Sequence, residues 1–260
     1  MYLVRPIHSI AFLEAQGLGV EAHIGRYDTR PGWESYVPFV GGVHLPYAGC
    51  NLASFDADER ERSLRIILNG IETGRRYPVD RMVVHTAAFE RQGDVRVGDY
   101  ELMIGSFRRL ADHAAAVGIM LCVENQVLRE PEKRRIFGDS AEEWFRIVRD
   151  IDRENVALAL DTSHAATSVA AYDRAEDRRN ALFEFLAHSD RIARVHWSDA
   201  RIERNESRFN DMHLVPGQGD LPLVFHRAVH ALPAVKLLEQ NCTESDVLDG
   251  LRFIRGLHSD

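Results

Sequence analysis

Six short apolar segments of this chain each end in a residue that is able to bind a metal ion. The terminal residues are His44, His85, Glu124, Asp161, His196 and Glu239, and the intervals between them are 41, 39, 37, 35 and 43 residues. A strand, a functional residue and a helix that recur at this period are typical of a (β/α)8 TIM barrel. Because the carboxyl ends of barrel strands meet at one mouth, we expect these six side chains to lie close together.

Helical periodicity is clearest in four of the remaining segments. Helices are predicted from Ser9 to Gln16, from about Asp99 to Gly118, from Ser140 with Glu143 completing a capping box, and from Thr243 onward. Two further strands are expected near Tyr2–Val4 and Gly19–Ile24, which brings the number of strands to eight. A doubly wound open sheet is the competing architecture, but no GxGxxG motif follows a strand, so the pattern favours the barrel.

Length and charge narrow the class of protein. The 260 residues match the roughly 250 of one such barrel, and no linker rich in Pro, Gly or Ser interrupts them. We therefore predict a single barrel domain over residues 1–260. The formal charge of -8 argues against generic nucleic-acid binding, although 32 Lys and Arg residues leave room for a local basic face.

Cysteine usage and hydropathy bear on the compartment. Cys50, Cys122 and Cys242 show no CxxC spacing, which indicates a reducing environment rather than a disulfide framework. We see neither a signal peptide nor an apolar run of about 18 residues. The expectation is a cytoplasmic protein without a membrane partner, and a homo-oligomer paired through its helices is compatible with the sequence.

The six terminal residues form a nitrogen and oxygen ligand set without cysteine. Such a set suits zinc or manganese, with magnesium or cobalt also compatible. Each residue alone has a simpler interpretation: a histidine can belong to the core, Asp161 can cap a helix, and Glu239 can pair with an arginine. The coincidence of all six at strand ends favours metal binding. His164, Asp211 and His213 are further candidates, because they lie on loops just past these strands.

Several other polar residues are candidates for substrate binding. Glu21 and His23 share one face of the second strand, so they line the pocket if that face points inward. Asn125 is placed either to orient Glu124 or to bind a substrate hydroxyl. Arg201 is suited to a phosphate, or is simply exposed to solvent. Lys236 has the opposite parity to Glu239, which argues against a Schiff-base lysine at the mouth.

Seven motifs carry a resemblance to a known group of proteins. They are VHLPY, VVH, VEN, DTSH, VHWSD, DMHLVPGQGDL and LLEQN, and together they span residues 43–241. In order and spacing the chain resembles the xylose isomerase-like TIM-barrel superfamily, which contains sugar isomerases, sugar epimerases and endonuclease IV.

The isomerase and epimerase branch implies one divalent metal ion. By resemblance, Glu124, Asp161, His196 and Glu239 would hold it, and His164 would contact the substrate. Glu124 and Glu239 would also act as the acid and base on either face of a small sugar, sugar phosphate or related polyol. This is the leading hypothesis.

The endonuclease IV branch implies three zinc ions, and the chain has a matching residue for all nine ligands. His44, His85 and Glu124 would serve the first ion, and Glu124, Asp161, His196 and Glu239 the second. His164, Asp211 and His213 would serve the third. This alternative predicts a phosphodiesterase, and it is the only hypothesis in which nucleic acid is a partner.

Three departures from these branches affect the choice between them. The amino-terminal MYLVRP lacks the start typical of endonuclease IV, and GRYDTRPGWESYVPF lacks the DNA-probing pattern of that family and is expected to be an ordinary loop. Aldose isomerases carry a lysine two positions after the strand-five glutamate, where this chain has Gln126. That difference argues against a hydride-shift isomerase. A metal-binding sensor without catalysis has no specific support in the sequence.

Overall fold

A closed barrel of eight parallel strands forms the centre of the structure, which is a computed structural model. It describes residues 2–130, 133–240 and 243–257. Met1, Asn241 at the end of the LLEQN motif, Cys242 and residues 258–260 of the predicted domain lie outside these ranges. The predicted TIM barrel is confirmed.

The strands and helices alternate along most of the chain. The strands are β1 (Tyr2–Val4), β2 (Gly19–His23), β3 (Val40–His44), β4 (Arg81–His85), β5 (Phe89–Gln92), β6 (Val95–Arg96), β7 (Met120–Glu124), β8 (Arg134–Ile136), β9 (Val156–Asp161), β10 (Ile192–Trp197) and β11 (Val235–Leu238). The helices are α1 (Ile10–Gln16), α2 (Ala57–Gly74), α3 (Tyr100–Ala116), α4 (Ala141–Ile151), α5 (Thr162–Val169), α6 (Ala175–Leu182), α7 (Leu223–Ala231) and α8 (Glu244–Gly256). The strand order around the barrel is β1, β11, β10, β9, β7, β4, β3 and β2. In the described ranges no helix is long and apolar enough to cross a bilayer.

Predicted helix starts agree with the structure, but one capping detail was wrong. Ser140 caps α4 through its hydroxyl, which accepts the Glu143 N–H. The Glu143 carboxylate, however, accepts the N–H of Gly138 at 2.8 Å and contacts Arg135 instead of completing a capping box. The complete capping box lies at Thr243 and Asp246, at the start of α8. The Glu143 carboxylate therefore binds Arg135 and the Gly138 N–H instead of the Ser140 N–H that a capping box requires.

The barrel interior below the mouth contains charged as well as apolar side chains. Glu21 and Arg194 are both inside the barrel, at most 2% exposed, and form an ion pair with each other. Small side chains, Cys122, Ala157 and Ala159, lie in the same interior region. Their small volume leaves space for the arginine side chain.

A small antiparallel sheet adds a wall beside the barrel mouth. It consists of β6, β5 and β8, with Phe89 opposite Ile136 and Gln92 opposite Arg134. Phe89, Arg134 and Ile136 all face the cavity at the mouth. This sheet was not predicted from the sequence.

Candidate metal centre and active site

Parallel strand pairing brings the predicted ligands to one level of the barrel. His85 is paired in register with Glu124, and His196 with Asp161. His23 is paired with His44 at the ends of β2 and β3. These side chains therefore surround the same central space, as the periodicity of the sequence predicts.

Four of them, which we call the core four, converge most closely. The core four are Glu124, Asp161, His196 and Glu239, and one ligand atom of each lies within 4.8 Å of the others. His196 Nδ1 lies 2.7 Å from Glu124 Oε1 and 2.7 Å from Glu239 Oε2. Glu239 directly follows β11, where its N–H donates to the Trp197 carbonyl. The strands themselves thus place the core four.

A second group of candidate ligands shares Glu124 and lies toward β3 and β4. His85 Nε2 is 2.7 Å and His44 Nε2 is 3.4 Å from Glu124 Oε2. His44 Nδ1 donates to the Leu45 carbonyl, because a carbonyl oxygen only accepts, and this leaves Nε2 to face the carboxylate. The ring of Tyr47 stacks on His85 with centroids 4.0 Å apart. The sequence analysis did not single out Tyr47, although it lies in the VHLPY motif.

A third group of candidate ligands shares Asp161. His164 and His213 each offer a nitrogen within 4.8 Å of an Asp161 oxygen. Asp211 Oδ2 lies 2.9 Å from His213 Nε2 and 3.6 Å from His164 Nε2. His164 Nδ1 donates to the Asn125 carbonyl, which directs Nε2 toward the acidic groups. All nine residues implied by the endonuclease IV resemblance therefore lie in one continuous cluster.

Asp161 has two roles at once. Its Oδ1 accepts the His164 N–H as the cap of α5, so the simpler helix-cap interpretation is true. Its Oδ2 is buried and has no hydrogen-bond partner among the described residues. Buried polar atoms are rarely left unpaired. This atom belongs to the core four, whose nitrogen and oxygen donors suit a divalent cation.

Asp211 and His213 lie on a long loop between β10 and α7. Asp199 anchors this loop, since its carboxylate accepts the N–H groups of Gly217 at 2.9 Å and Leu221 at 3.2 Å. The same carboxylate lies 3.3 Å from His226 Nε2. A Cβ at Gly219 would overlap Asp199, so glycine is required at that close approach. The turn in VPGQGDLP is therefore held in place by Asp199, which was not among the predicted site residues.

Charge in the site is strongly coupled. Burial acts to raise the pKa of Glu124, but His196 and His85 hold that pKa well below its usual range. Burial, together with Glu239 and Glu124, raises the pKa of Asp161 to about 6 against the opposing effect of His164. Burial lowers the pKa of His213, yet Asp211 and Asp161 raise it overall to about 9. Without a cation, the protonated imidazole of His213 offsets part of the carboxylate charge.

The predicted substrate-binding residues have different positions. His23 lines the cavity and stacks on His44 with centroids 3.9 Å apart. Glu21 faces inward, but it lies beneath the ligands, with Oε1 3.1 Å from His196 Nε2. Asn125 is fully buried, and its amide bonds both the N–H and the carbonyl of Asp161. Arg201 does not line the cavity, and its guanidinium lies 3.9 Å from Glu206.

Two other residues complete the picture at the mouth. Arg5, just after β1, donates to Glu239 Oε1 at 2.9 Å. The simpler interpretation of Glu239, that it pairs with an arginine, is therefore also correct. Arg5 would have been a predicted site residue if the end of the first strand had been considered together with the ends of the other strands. Lys236 stays out of the cavity, because its Nζ donates to the carbonyls of Leu232 and Ala234.

The cavity above the core four has a volume of about 770 Å³. Such a volume is typical of a site for a small molecule. Besides the ligands, its lining includes aromatic and cationic side chains, among them Tyr47, Phe89, Arg26, Arg129, Lys133 and Arg134.

Comparison with known proteins decides the family. Residues 34–257 match the model of the xylose isomerase-like TIM barrel. The chain belongs to this family. The xylose isomerase-like chain is also 25% identical to an uncharacterized protein of Methanocaldococcus jannaschii over 185 residues, which are 70% of this chain and 57% of that protein. It thus spans little more than half the length of that curated relative.

Solved structures share the fold at low sequence identity. A D-tagatose 3-epimerase-like protein superposes with a TM-score of 0.72 at 19% identity, covering 93% of this chain and 88% of that one. A Thermus thermophilus protein soaked with ZnCl2 gives 0.70 at 17% identity, covering 100% and 97%. A D-psicose 3-epimerase of Clostridium cellulolyticum with D-tagatose gives 0.65 at 17% identity, covering 92% and 88%. These similarities establish the barrel and leave the reaction to be argued from the site.

Proposed function

We propose that this protein is a divalent-metal-dependent isomerase or epimerase of a small sugar, sugar phosphate or related polyol. The observation that carries the proposal is the approach of two glutamates to one point. Glu124 Oε1 and Glu239 Oε2 both lie 2.7 Å from His196 Nδ1, on the floor of an open cavity. Two carboxylates that line the same cavity are suited to remove a proton from a carbon bound there and to return it.

The core four provide the ligands for one divalent cation, most suitably zinc or manganese, with magnesium or cobalt also compatible. When bound, this cation would polarise a substrate carbonyl and so acidify the adjacent C–H bond. His196 and the charge of Arg5 hold the pKa of Glu239 well below its usual range despite burial. Glu239 is therefore ionised at neutral pH and able to accept a proton, while Arg5 fixes the orientation of its carboxylate.

The residue at position 126 favours proton transfer over a hydride shift. Gln126 occupies the place where the related aldose isomerases carry a lysine, and its amide donates to the Glu124 carbonyl at 2.7 Å. A glutamine has no ammonium group to act on a substrate oxygen. The reaction that fits is therefore loss and return of an α-proton between Glu124 and Glu239.

Charge at the rim favours an anionic member of the substrate class. The guanidinium of Arg134 lies 4.4 Å from the centre of the Phe89 ring, where β5 and β8 form the cavity wall. Arg129 and Arg26 line the same cavity. Cations on this wall of an otherwise acidic protein suit the phosphate of a sugar phosphate.

Solvent isotope exchange tests the proposal directly. The purified protein, loaded with one divalent cation, is incubated in deuterated water with ketoses and ketose phosphates. We expect deuterium at the carbon next to the carbonyl and a new epimer by NMR. Glu239→Gln serves as the control for adventitious base catalysis. The absence of exchange with every compound of the panel would rule the proposal out.

A second candidate function, a trinuclear zinc phosphodiesterase, has one specific observation in its favour. The described residues contain three overlapping groups of potential ligands, joined through Glu124 and Asp161. Three adjacent cations are suited to phosphodiester hydrolysis. However, Trp33 and Tyr27, which lie in the segment that would have to contact DNA under this alternative, are buried, and Trp33 Nε1 donates to Tyr77. Nicking of an abasic DNA duplex by the zinc-loaded protein would favour this function over the first.

A further inference from the structure

The imidazole of His196 has charged neighbours on both sides. Its Nδ1 faces Glu124 and Glu239 in the core four, while its Nε2 lies 3.1 Å from Glu21 Oε1. The other oxygen of Glu21 forms an ion pair with Arg194. The Glu21 carboxylate, the His196 imidazole and the core four therefore follow one another through the barrel.

We propose that Glu21 and Arg194 are a positioning pair for His196, which presents Nδ1 of that imidazole to a cation held by the core four. A carboxylate that accepts the Nε2 proton of a histidine leaves the lone pair of Nδ1 for the cation. Arg194 in turn fixes the Glu21 carboxylate and balances its charge inside the barrel. Neither residue lines the cavity, so neither acts by touching the substrate.

The space around Arg194 supports a dedicated arrangement. A Cβ at position 42 would overlap the guanidinium, so Gly42 is the residue that allows the side chain to pass. One guanidinium nitrogen also donates to the Gly41 carbonyl at 3.3 Å. A buried charge pair is expensive in stability compared with apolar residues of similar volume. The Glu21–Arg194 pair lies directly beneath His196, and its role in orienting that histidine explains why a charge pair is found there.

The test measures metal affinity, so it does not depend on the substrate or on the proposed reaction. Glu21→Gln removes the charge with little change of shape, and affinity is measured by competition with a chelator. We expect affinity to fall about 10–100-fold and the visible spectrum of the cobalt(II)-loaded protein to shift, while circular dichroism stays that of a folded barrel. Glu143→Gln is the matched control, because Glu143 is also buried beside an arginine but contacts no candidate ligand.

A double variant covers the case in which Glu21→Gln does not fold. Glu21→Gln with Arg194→Met removes both charges together. Losing both charges of a buried pair destabilises a protein less than leaving one of them unpaired. We expect this variant to fold and still to bind metal about 10–100-fold more weakly than the natural protein. Metal affinity within about threefold of the natural protein in the folded Glu21→Gln variant or in the double variant, or an equal loss in Glu143→Gln, would overturn the proposal.

Discussion

The core four and the loop ligands Asp211 and His213 are held by different parts of the molecule. The core four lie at the ends of paired strands, and three of them are at most 1% exposed. Asp211 and His213 lie on a segment without helix or strand, and His213 has a φ of 44° in the left-handed region. A ligand on a strand is positioned by the barrel, whereas a ligand on a loop is positioned only by what anchors the loop.

This difference indicates how the site would divide its tasks. A metal centre formed by the core four alone would be held as rigidly as the barrel strands that carry it. A centre that needs Asp211 and His213 also depends on Asp199 and on the turn that this residue holds. Variants of Glu239, Asp199 and His213 separate these two dependences.

The largest effect is expected from Glu239→Gln. This change removes both a core-four ligand and a proposed acid or base, so turnover should fall by a factor of about 10²–10⁴. Deuterium exchange into the substrate measures it. Turnover within a few-fold of the natural protein would show that the active-site assignment is wrong, because both proposed reactions require this carboxylate.

The next effect tests the loop side of the comparison. Asp199→Ala leaves the N–H groups of Gly217 and Leu221 without their acceptor, so unfolding free energy should fall by about 2–4 kcal/mol. Urea titration measures this loss. We further expect weaker binding of any metal ion beyond the first, since the loop carrying Asp211 and His213 loosens. An equal loss of affinity for the first ion would contradict the division between strand and loop ligands.

Affinity for a metal ion beyond the first should rise with pH, because His213 must lose a proton to become a ligand. Its pKa of about 9 lies above that of an unfolded histidine, so in the metal-free protein its contribution to stability is present below about pH 6.5 and lost as pH rises through 9. The further stabilisation by excess zinc should therefore grow between pH 6 and 9, measured as the difference in melting temperature between the protein with one equivalent and the protein with excess zinc. His213→Ala should flatten this dependence, and an unchanged slope in that variant would contradict the assignment.

The smallest effect concerns the rim. Arg134→Ala should raise KM for a ketose phosphate about tenfold, or about 1.4 kcal/mol, and leave KM for the unphosphorylated ketose unchanged. Arg201→Ala is the matched control, since this arginine lies outside the cavity. Equal changes in KM for both substrates in the Arg134 variant would remove the argument for an anionic substrate.

The periodicity of the chain predicted the barrel and the level at which its ligands meet. This succeeded because parallel strands bring their carboxyl ends together whatever the details of packing, so His85 and Glu124 meet by register alone. The alternation of side chains along a strand placed Glu21 and His23 on one face of β2, but it left open whether that face points inward. It could not predict the contact of Glu21 with Arg194, because 173 residues separate them and only barrel closure brings them together.

Other features depended on competition between partners, which spacing does not reveal. Glu143 has the spacing of a capping box, yet Arg135 and the Gly138 N–H take its carboxylate. Asn125 follows a ligand directly, and its amide serves the backbone of Asp161 instead of the cavity. Asp199 also follows a strand end, but the loop folds back over it and buries it. In each case tertiary contacts decided which of several available partners was bound.

The central claim is that the core four alone form the catalytic metal centre. Manganese is titrated into the metal-free protein, with the positions of the ions determined by anomalous scattering and deuterium exchange measured at each addition. We predict that the first equivalent binds among Glu124, Asp161, His196 and Glu239, and that exchange activity reaches its maximum at this single equivalent. A first ion located elsewhere, or activity that appears only when three ions are bound, would contradict the account.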